Sequence, residues 1–241
     1  MIFDIVIPLG PNEFYIFNEN IKTIKANIIG YRNIYIITAN IDIIIDDCII
    51  IDENIFPFKM SDIALYIKKI TRNGWYLQQL LKLYAGFYIP NISENYLVID
   101  SDLNFLKPIN FFDNDKPIYT ISSEYHIHYF THMNKLHESF IKKHNKSGIS
   151  HHMIFNINYI KEIFDLVETT HNIPFWKIFL SMVNENDSDS GASEYELYFN
   201  YIQKYDIIIR ELEWSNISFN NFINKKYNTN SDYVSICYYK N

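Results

Sequence analysis

The 241-residue chain lacks most of the features that would tie it to a membrane, an oxidising compartment or a nucleic acid. It has two cysteines, Cys48 and Cys237, far apart and each flanked by apolar residues. They read as reduced, half-buried thiols in a reducing compartment, and a disulfide framework is excluded. No apolar run reaches the roughly 18–20 residues that span a bilayer. The Ile-rich stretch over 41–51 is broken by Asp42, Asp46 and Asp47. The N-terminal MIFDIVIPLG carries Asp4 inside its apolar run, which argues against a secretory signal. The formal net charge is −7 and there is no dense Lys/Arg patch, which argues against a duplex nucleic-acid partner. No internal repeat is visible. These absences together predict a soluble, cytoplasmic protein without a transmembrane segment.

Hydrophobic residues make up 48% of the chain and charged residues 20%, the balance of a globular protein with a substantial core. The length suits one domain over 1–241. Its first half alternates. An apolar strand over 3–9 ends at Gly10-Pro11-Asn12, and helix-compatible spacing follows over 13–29. Strands are expected over 33–38 and 48–51. Helices are expected over 61–70, with Ser61 as N-cap, and over 74–88. A strand over 96–99 closes the run. This order predicts an α/β fold with a mostly parallel central sheet flanked by helices. Such sheets bind ligands at the carboxyl ends of their strands.

The second half is less regular. Strands are expected over 117–122 and 151–156, and helices over 159–169 and 194–204, the latter capped by Ser193. An acidic loop is expected over 184–191. Five histidines between residues 124 and 145 (His126, His128, His132, His137 and His144) match no metal-ligand spacing, so that segment reads as a partly helical surface stretch. The tail from residue 217 matches no element.

The strand over 96–99 ends on two acids in YLVIDSDLNFLKP. If the backbone stays extended, Asp100 and Asp102 point the same way and Ser101 points elsewhere. Paired carboxylates suit a hard divalent cation that also takes phosphate oxygens. A lone D-x-D is more often a solvated turn, but here Leu103, Phe105 and Leu106 follow directly. Upstream, Trp75, Gln78, Gln79 and Lys82 recur at i, i+3, i+4 and i+7 and share one helix face, opposite Leu77, Leu81 and Tyr84.

The ordered set LLKLYAGFYIPNISENYLVIDSDLNFLKPINFF, with GWYLQQLLKL before it and HHMIFN and SEYELYFNY after it, resembles nucleotide-sugar glycosyltransferases of the GT-A fold. It is similar to a poorly characterised glycosyltransferase-like group among them. The motifs run from Gly74 to Tyr201, and DIVIPLG fits the start of such a fold.

The resemblance implies a metal-dependent glycosyltransferase that moves a hexosyl or N-acetylhexosaminyl group from a nucleoside-diphosphate sugar, a UDP-sugar favoured. The acceptor would be a hydroxyl of a glycan or protein. Residues up to about 112 would form the donor half, and residues 113–241 the acceptor half. Mn²⁺ or Mg²⁺ would sit on Asp102 directly, with Asp100 acting through water or on the ribose. Pro8, Leu9 and Asn12 would lie against the nucleoside, and Trp75, Gln78, Gln79 and Ser101 would line the donor pocket. Lys82 would reach a phosphate or sugar hydroxyl. Glu194, with Glu196 second, would deprotonate the acceptor, although a helix start with acids in its first turn explains them equally well.

His151 and His152 would face opposite ways on a strand, and His152 is the one expected towards the sugar or the metal. Metal-dependent relatives often take a third ligand from a late histidine, and this chain has none after His171. Inverting and retaining chemistry both remain open. The alternatives are an inactive carbohydrate- or nucleotide-binding module of the same fold and a nucleotidyltransferase. The PLGPNEF turn argues against the latter, because it has a single glycine and no Lys or Arg.

Overall fold

The computed structural model describes residues 2–187 and 189–237. Ser188, within the expected acidic loop, and residues 238–241 of the tail lie outside the described residues. In chain order the elements are β1 (Phe3–Pro8), α1 (Phe14–Asn27), β2 (Tyr31–Thr38), β3 (Ile49–Asp52), α2 (Met60–Tyr66), α3 (Asn73–Tyr88), β4 (Asn95–Ile99) and β5 (Leu103–Phe105). They continue with β6 (Phe112–Asp113), β7 (Lys116–Ile121), α4 (Ile127–Leu136), β8 (His152–Asn156), α5 (Ile157–His171) and α6 (Phe175–Ser181). The last are α7 (Glu194–Ile202), β9 (Ile208–Glu211), β10 (Trp214–Ser218), α8 (Phe219–Ile223) and β11 (Tyr233–Cys237).

The central sheet runs β3-β2-β1-β4-β8. β1, β2, β3 and β4 are parallel, and β8 lies antiparallel against β4. The fold is therefore α/β with a mostly parallel sheet, as the strand–helix alternation predicts. β1 and β4 are buried along their whole length, because helices cover both faces of a sheet built by crossovers. Their apolar runs, such as Ile5-Val6-Ile7 and Leu97-Val98-Ile99, fill the core. Each such side chain contributes roughly 1.5–3 kcal/mol on burial.

Two small sheets flank this core. β10 and β11 pair in parallel and β11 runs antiparallel to β5, while β7 joins β6 and β9. The tail thus folds back onto the segment that follows the two acids: the Ile236 amide donates to the Asp102 carbonyl at 3.0 Å.

Two local expectations need correction. α2 starts at Met60, not after Ser61, because the Asp62 carboxylate reaches back to accept from the Lys59 amide at 2.8 Å and caps the helix two residues earlier. The histidine-rich segment is partly helical as expected, but one face of its helix is not at the surface. Tyr129, Phe130, His132, Met133 and Leu136 form a buried face of α4. His132 Nε2 donates to the Phe179 carbonyl at 2.7 Å, and burial pulls its pKa down to about 4.

A candidate metal and donor site at the carboxyl edge of the sheet

β1 and β4 are parallel neighbours, with Val6 opposite Val98, so their carboxyl ends emerge side by side. Pro8 and Leu9 are buried at the end of β1, and Asp100 follows β4. Asn12 is exposed on the turn beyond β1. Asp100 and Asp102 do not lie on an extended segment. The Leu103 amide donates to the Asp100 carbonyl at 3.2 Å, which closes a four-residue turn before β5. The turn still keeps both carboxylates at one place. Ser101 faces elsewhere: its hydroxyl donates to Glu13 Oε2 at 2.5 Å, and Glu13 also accepts from the Gly10 amide at 3.2 Å. Glu13, which sequence reading passed over, therefore ties the β1 turn to the two-acid turn.

Asp100, Asp102 and His151 each offer a ligand atom, and these atoms lie within 4.8 Å of one another. This brings in His151 where His152 was expected. The reason is backbone conformation. His151 has φ of +61°, the left-handed region that non-glycine residues seldom adopt. Its carbonyl still accepts from the Asp100 amide at 2.9 Å, but strand alternation does not apply to it. Its side chain turns to Asp100, and Nδ1 donates to Oδ2 at 3.0 Å. His152 instead packs against Phe105, Phe111 and Tyr233, with Nε2 on the Thr120 hydroxyl at 3.1 Å. Burial holds its ring well below the usual histidine range, so it is a neutral core residue.

The two acids have opposite surroundings. Asp100 Oδ1 accepts from Lys82 Nζ and, at 2.9 Å, from the Tyr195 hydroxyl. Burial alone would raise its pKa, but the charge of Lys82 and the hydrogen bond from His151 outweigh it and hold Asp100 well below the ordinary carboxylate range. Asp102 Oδ1 is shielded from solvent and has no hydrogen-bond partner among the described residues. Burial first, and then the charge of Asp100, push Asp102 up to about 7. A shielded carboxylate oxygen without a donor is costly unless a cation completes it.

The oxygen and nitrogen donor set of Asp100, Asp102 and His151 could hold a divalent metal ion. Asp102 supplies the unsatisfied oxygen.

Lys82 is held differently from the expectation. It is 1% exposed and bridges two carboxylates, donating to Asp100 and, at 2.7 Å, to Glu194 Oε1. Its Nζ also sits 4.5 Å from the Tyr195 ring centroid. The polar face of α3 is thus an interior face: Gln79 Oε1 accepts from the Glu194 amide at 3.1 Å. Further along α3, Gly86 lets the helix approach the start of α5, since a Cβ there would lie 2.5 Å from Ile157 Cγ1. Burial works against the Lys82 charge, but the two carboxylates win and raise its pKa. Glu194 is raised, because burial outweighs a cation it must share with Asp100.

The other predicted residues are spread around this centre. Trp75 and Gln78 are half-buried on α3. Trp75 stacks on Tyr129 and lies under the Arg72 guanidinium at 4.2 Å. Glu196 is not brought to the acids: Ser147 and Asn200 hydrogen-bond its carboxylate. Ser193 caps α7 as expected, accepting from the Glu196 amide at 3.2 Å. Sequence reading missed Tyr195, although its place next to Glu194 at the start of α7 was a usable signal.

The arrangement of sheet and helices is that of the GT-A glycosyltransferases. The chain is similar to the galactosyltransferase LgtC in complex with donor and acceptor sugar analogs, with a TM-score of 0.50 and 12% identity over 98% of this chain and 88% of that one. At that identity the likeness shows the fold alone. An active-site mutant of LgtC (TM-score 0.48, 12% identity, 98% and 88% covered) and the apo form of mouse xyloside xylosyltransferase 1 (TM-score 0.47, 8% identity, 98% and 97% covered) are also similar. No curated protein matches the sequence. Residues 31–223 match the family of unknown function DUF6492, and the chain belongs to that family. Among the described residues no helix is long and apolar enough to cross a membrane.

Proposed function

We propose that this chain is a metal-dependent glycosyltransferase that takes its sugar from a nucleoside-diphosphate donor, a UDP-sugar favoured, and passes it to a hydroxyl of a glycan or protein. The observation that carries this reading is the unpartnered Oδ1 of Asp102 beside Asp100 and His151, at the carboxyl edge of a GT-A-type sheet. Asp102 and His151 would hold Mn²⁺ or Mg²⁺, with Asp100 beside them. A cation there would supply Lewis-acid charge to a departing diphosphate. Pro8, Leu9 and Asn12 would flank the nucleoside, and Trp75 and Gln78 the donor sugar.

On this reading Lys82 does not touch a phosphate. It fixes the Asp100 carboxylate from below, with Glu194 and Tyr195 holding the ammonium and the carboxylate in register. Glu194 is then a positioning residue, since its Oε1 is taken by Lys82. That closed pair also lends support to a second reading, a binding module of the same fold without transfer activity.

The test is a donor screen by saturation-transfer NMR and thermal shift, with UDP-, GDP-, CMP- and dTDP-sugars and Mn²⁺. Metal-dependent binding of one donor class is expected, and Asp102→Ala is expected to abolish it. No metal-dependent binding to any donor would sink the proposal. Turnover separates the two readings: the binding module binds donor and shows neither transfer nor donor hydrolysis.

A further inference from the structure

A cleft of about 390 Å³ opens beside the metal group, between the end of β7, the end of β9 and the start of β10. Its volume lies within the range of about 300–1,000 Å³ typical of small-molecule sites. Trp214 is the wall that the cleft shares with the site: it lines the cleft, and its ring meets the His151 ring at 5.0 Å between centroids. Tyr233 stacks on Trp214 at 5.6 Å with an interplanar angle of 7°, which fixes the indole in place. The Tyr233 hydroxyl is itself anchored on the Ser150 carbonyl at 3.0 Å. A ligand resting on Trp214 would therefore lie next to the residues that hold the metal.

The charged lining is one-sided. Glu124, Glu211 and Glu213 face a single cation, Lys146, which pairs with Glu211 at 2.5 Å. Glu213 Oε1 accepts from Asn228 at 2.8 Å, and Glu124 lies 3.4 Å from His126. Each carboxylate has about four lone-pair sites, so each keeps capacity for further donors. A surface of exposed acceptors around one aromatic wall suits a molecule with many hydroxyl donors and an apolar C–H face. It is unfavourable to a ligand carrying its own carboxylate or phosphate, because like charges at close quarters cost affinity.

We propose that this cleft is the acceptor subsite and that it takes an uncharged saccharide, packed on Trp214 and hydrogen-bonded to Glu124, Glu211 and Glu213, while excluding anionic glycans. The proposal rests on the glycosyltransferase reading above and adds the class of the acceptor.

The test uses the full chain with Mn²⁺, with and without UDP. Saturation-transfer NMR is run with lactose, cellobiose and N,N′-diacetylchitobiose, and with disaccharides of the same size that carry a uronic or sialic carboxylate. A neutral disaccharide should bind at least about tenfold more tightly than its anionic counterpart, a difference of about 1.4 kcal/mol. The exposed-charge variant E211Q/E213Q should close that gap to within about threefold while UDP affinity stays the same. Trp214→Ala should weaken saccharide binding about tenfold or more, and Trp214→Phe less, since a smaller aromatic wall remains.

If no neutral disaccharide binds, if anionic ones bind equally well to the parent, or if E211Q/E213Q leaves the preference unchanged, the proposal is wrong. Failure of UDP and Mn²⁺ to bind would instead remove the glycosyltransferase reading. The saccharide arm without nucleotide still reports on the cleft in that case.

Discussion

Two carboxylates near opposite ends of neighbouring parallel strands show how the same side chain serves the fold in one place and a site in another. Asp4, near the start of β1, is fully buried and completely satisfied. It accepts from Arg32 through both oxygens at 3.0 and 2.6 Å, from the Asn33 amide at 3.0 Å and from the Ser93 amide at 2.7 Å. Burial would raise its pKa, but these donors overcome it and the pKa falls. Asp102, beyond the end of β4, keeps a shielded oxygen with no donor among the described residues, and its pKa rises to about 7. A buried acid with every lone pair engaged locks loops to a strand. One left incomplete beside a second acid and a histidine is a candidate ligand for a cation.

The largest expected effect tests the machinery behind the incomplete acid. Lys82→Met leaves Asp100 and Glu194 buried side by side without their shared cation. It should cost on the order of 3–5 kcal/mol by urea unfolding, and an unchanged midpoint would mean that the bridge is not formed. Next comes Asp4→Ala, which strands the Asn33 and Ser93 amides. We expect a loss of about 3 kcal/mol with no change in metal-dependent nucleotide binding beyond that caused by unfolding.

The Asp4 contribution also has a defined pH window. Its folded pKa is depressed, so the stability it contributes is present above the ordinary carboxylate value and is lost as pH falls through the folded value. The stability gap between parent and Asp4→Asn should therefore narrow when urea melts at pH 7 are repeated near pH 3. A gap that widens on acidification would contradict the assigned donors.

Asp102→Asn should behave in the opposite sense. In EDTA at pH 8 it removes an unpaired, partly desolvated charge beside Asp100, and stability should rise by on the order of 1 kcal/mol. In Mn²⁺ the parent should gain in Tm, and the same variant should lose that gain. If the substitution destabilises the metal-free protein, Asp102 belongs with Asp4 as a structural acid, and the metal assignment fails.

The sequence treated these two acids unevenly. Asp4 registered only as an interruption of an apolar run, because its partners Arg32 and Ser93 are 28 and 89 residues away. Asp100 and Asp102 stood out because they end a buried strand and are followed by apolar residues. The local assumption about them was nevertheless wrong, since the backbone there is a turn and not an extended segment. His151 and His152 illustrate the same limit: alternation selects between them only if both are on the strand, and the left-handed backbone of His151 removes it from that rule. Lys82 was found by helix periodicity, which gives the face but not what covers it. Glu194, 112 residues later, determines that this face is interior.

What the sequence by itself determined is the alternation of β1 to β4 with their helices, the mostly parallel sheet this makes, and Asp100 and Asp102 as the acids that follow β4. Those follow from period, burial and turn chemistry, which act over a few residues. Only the tertiary structure decided that His151 joins them, that Lys82 is enclosed, that Glu13 and Tyr195 take part, and that β10 and β11 bring Trp214, stacked on Tyr233, against His151. Each of these depends on contacts between residues far apart in the chain, whose geometry is set by packing and not by local pattern.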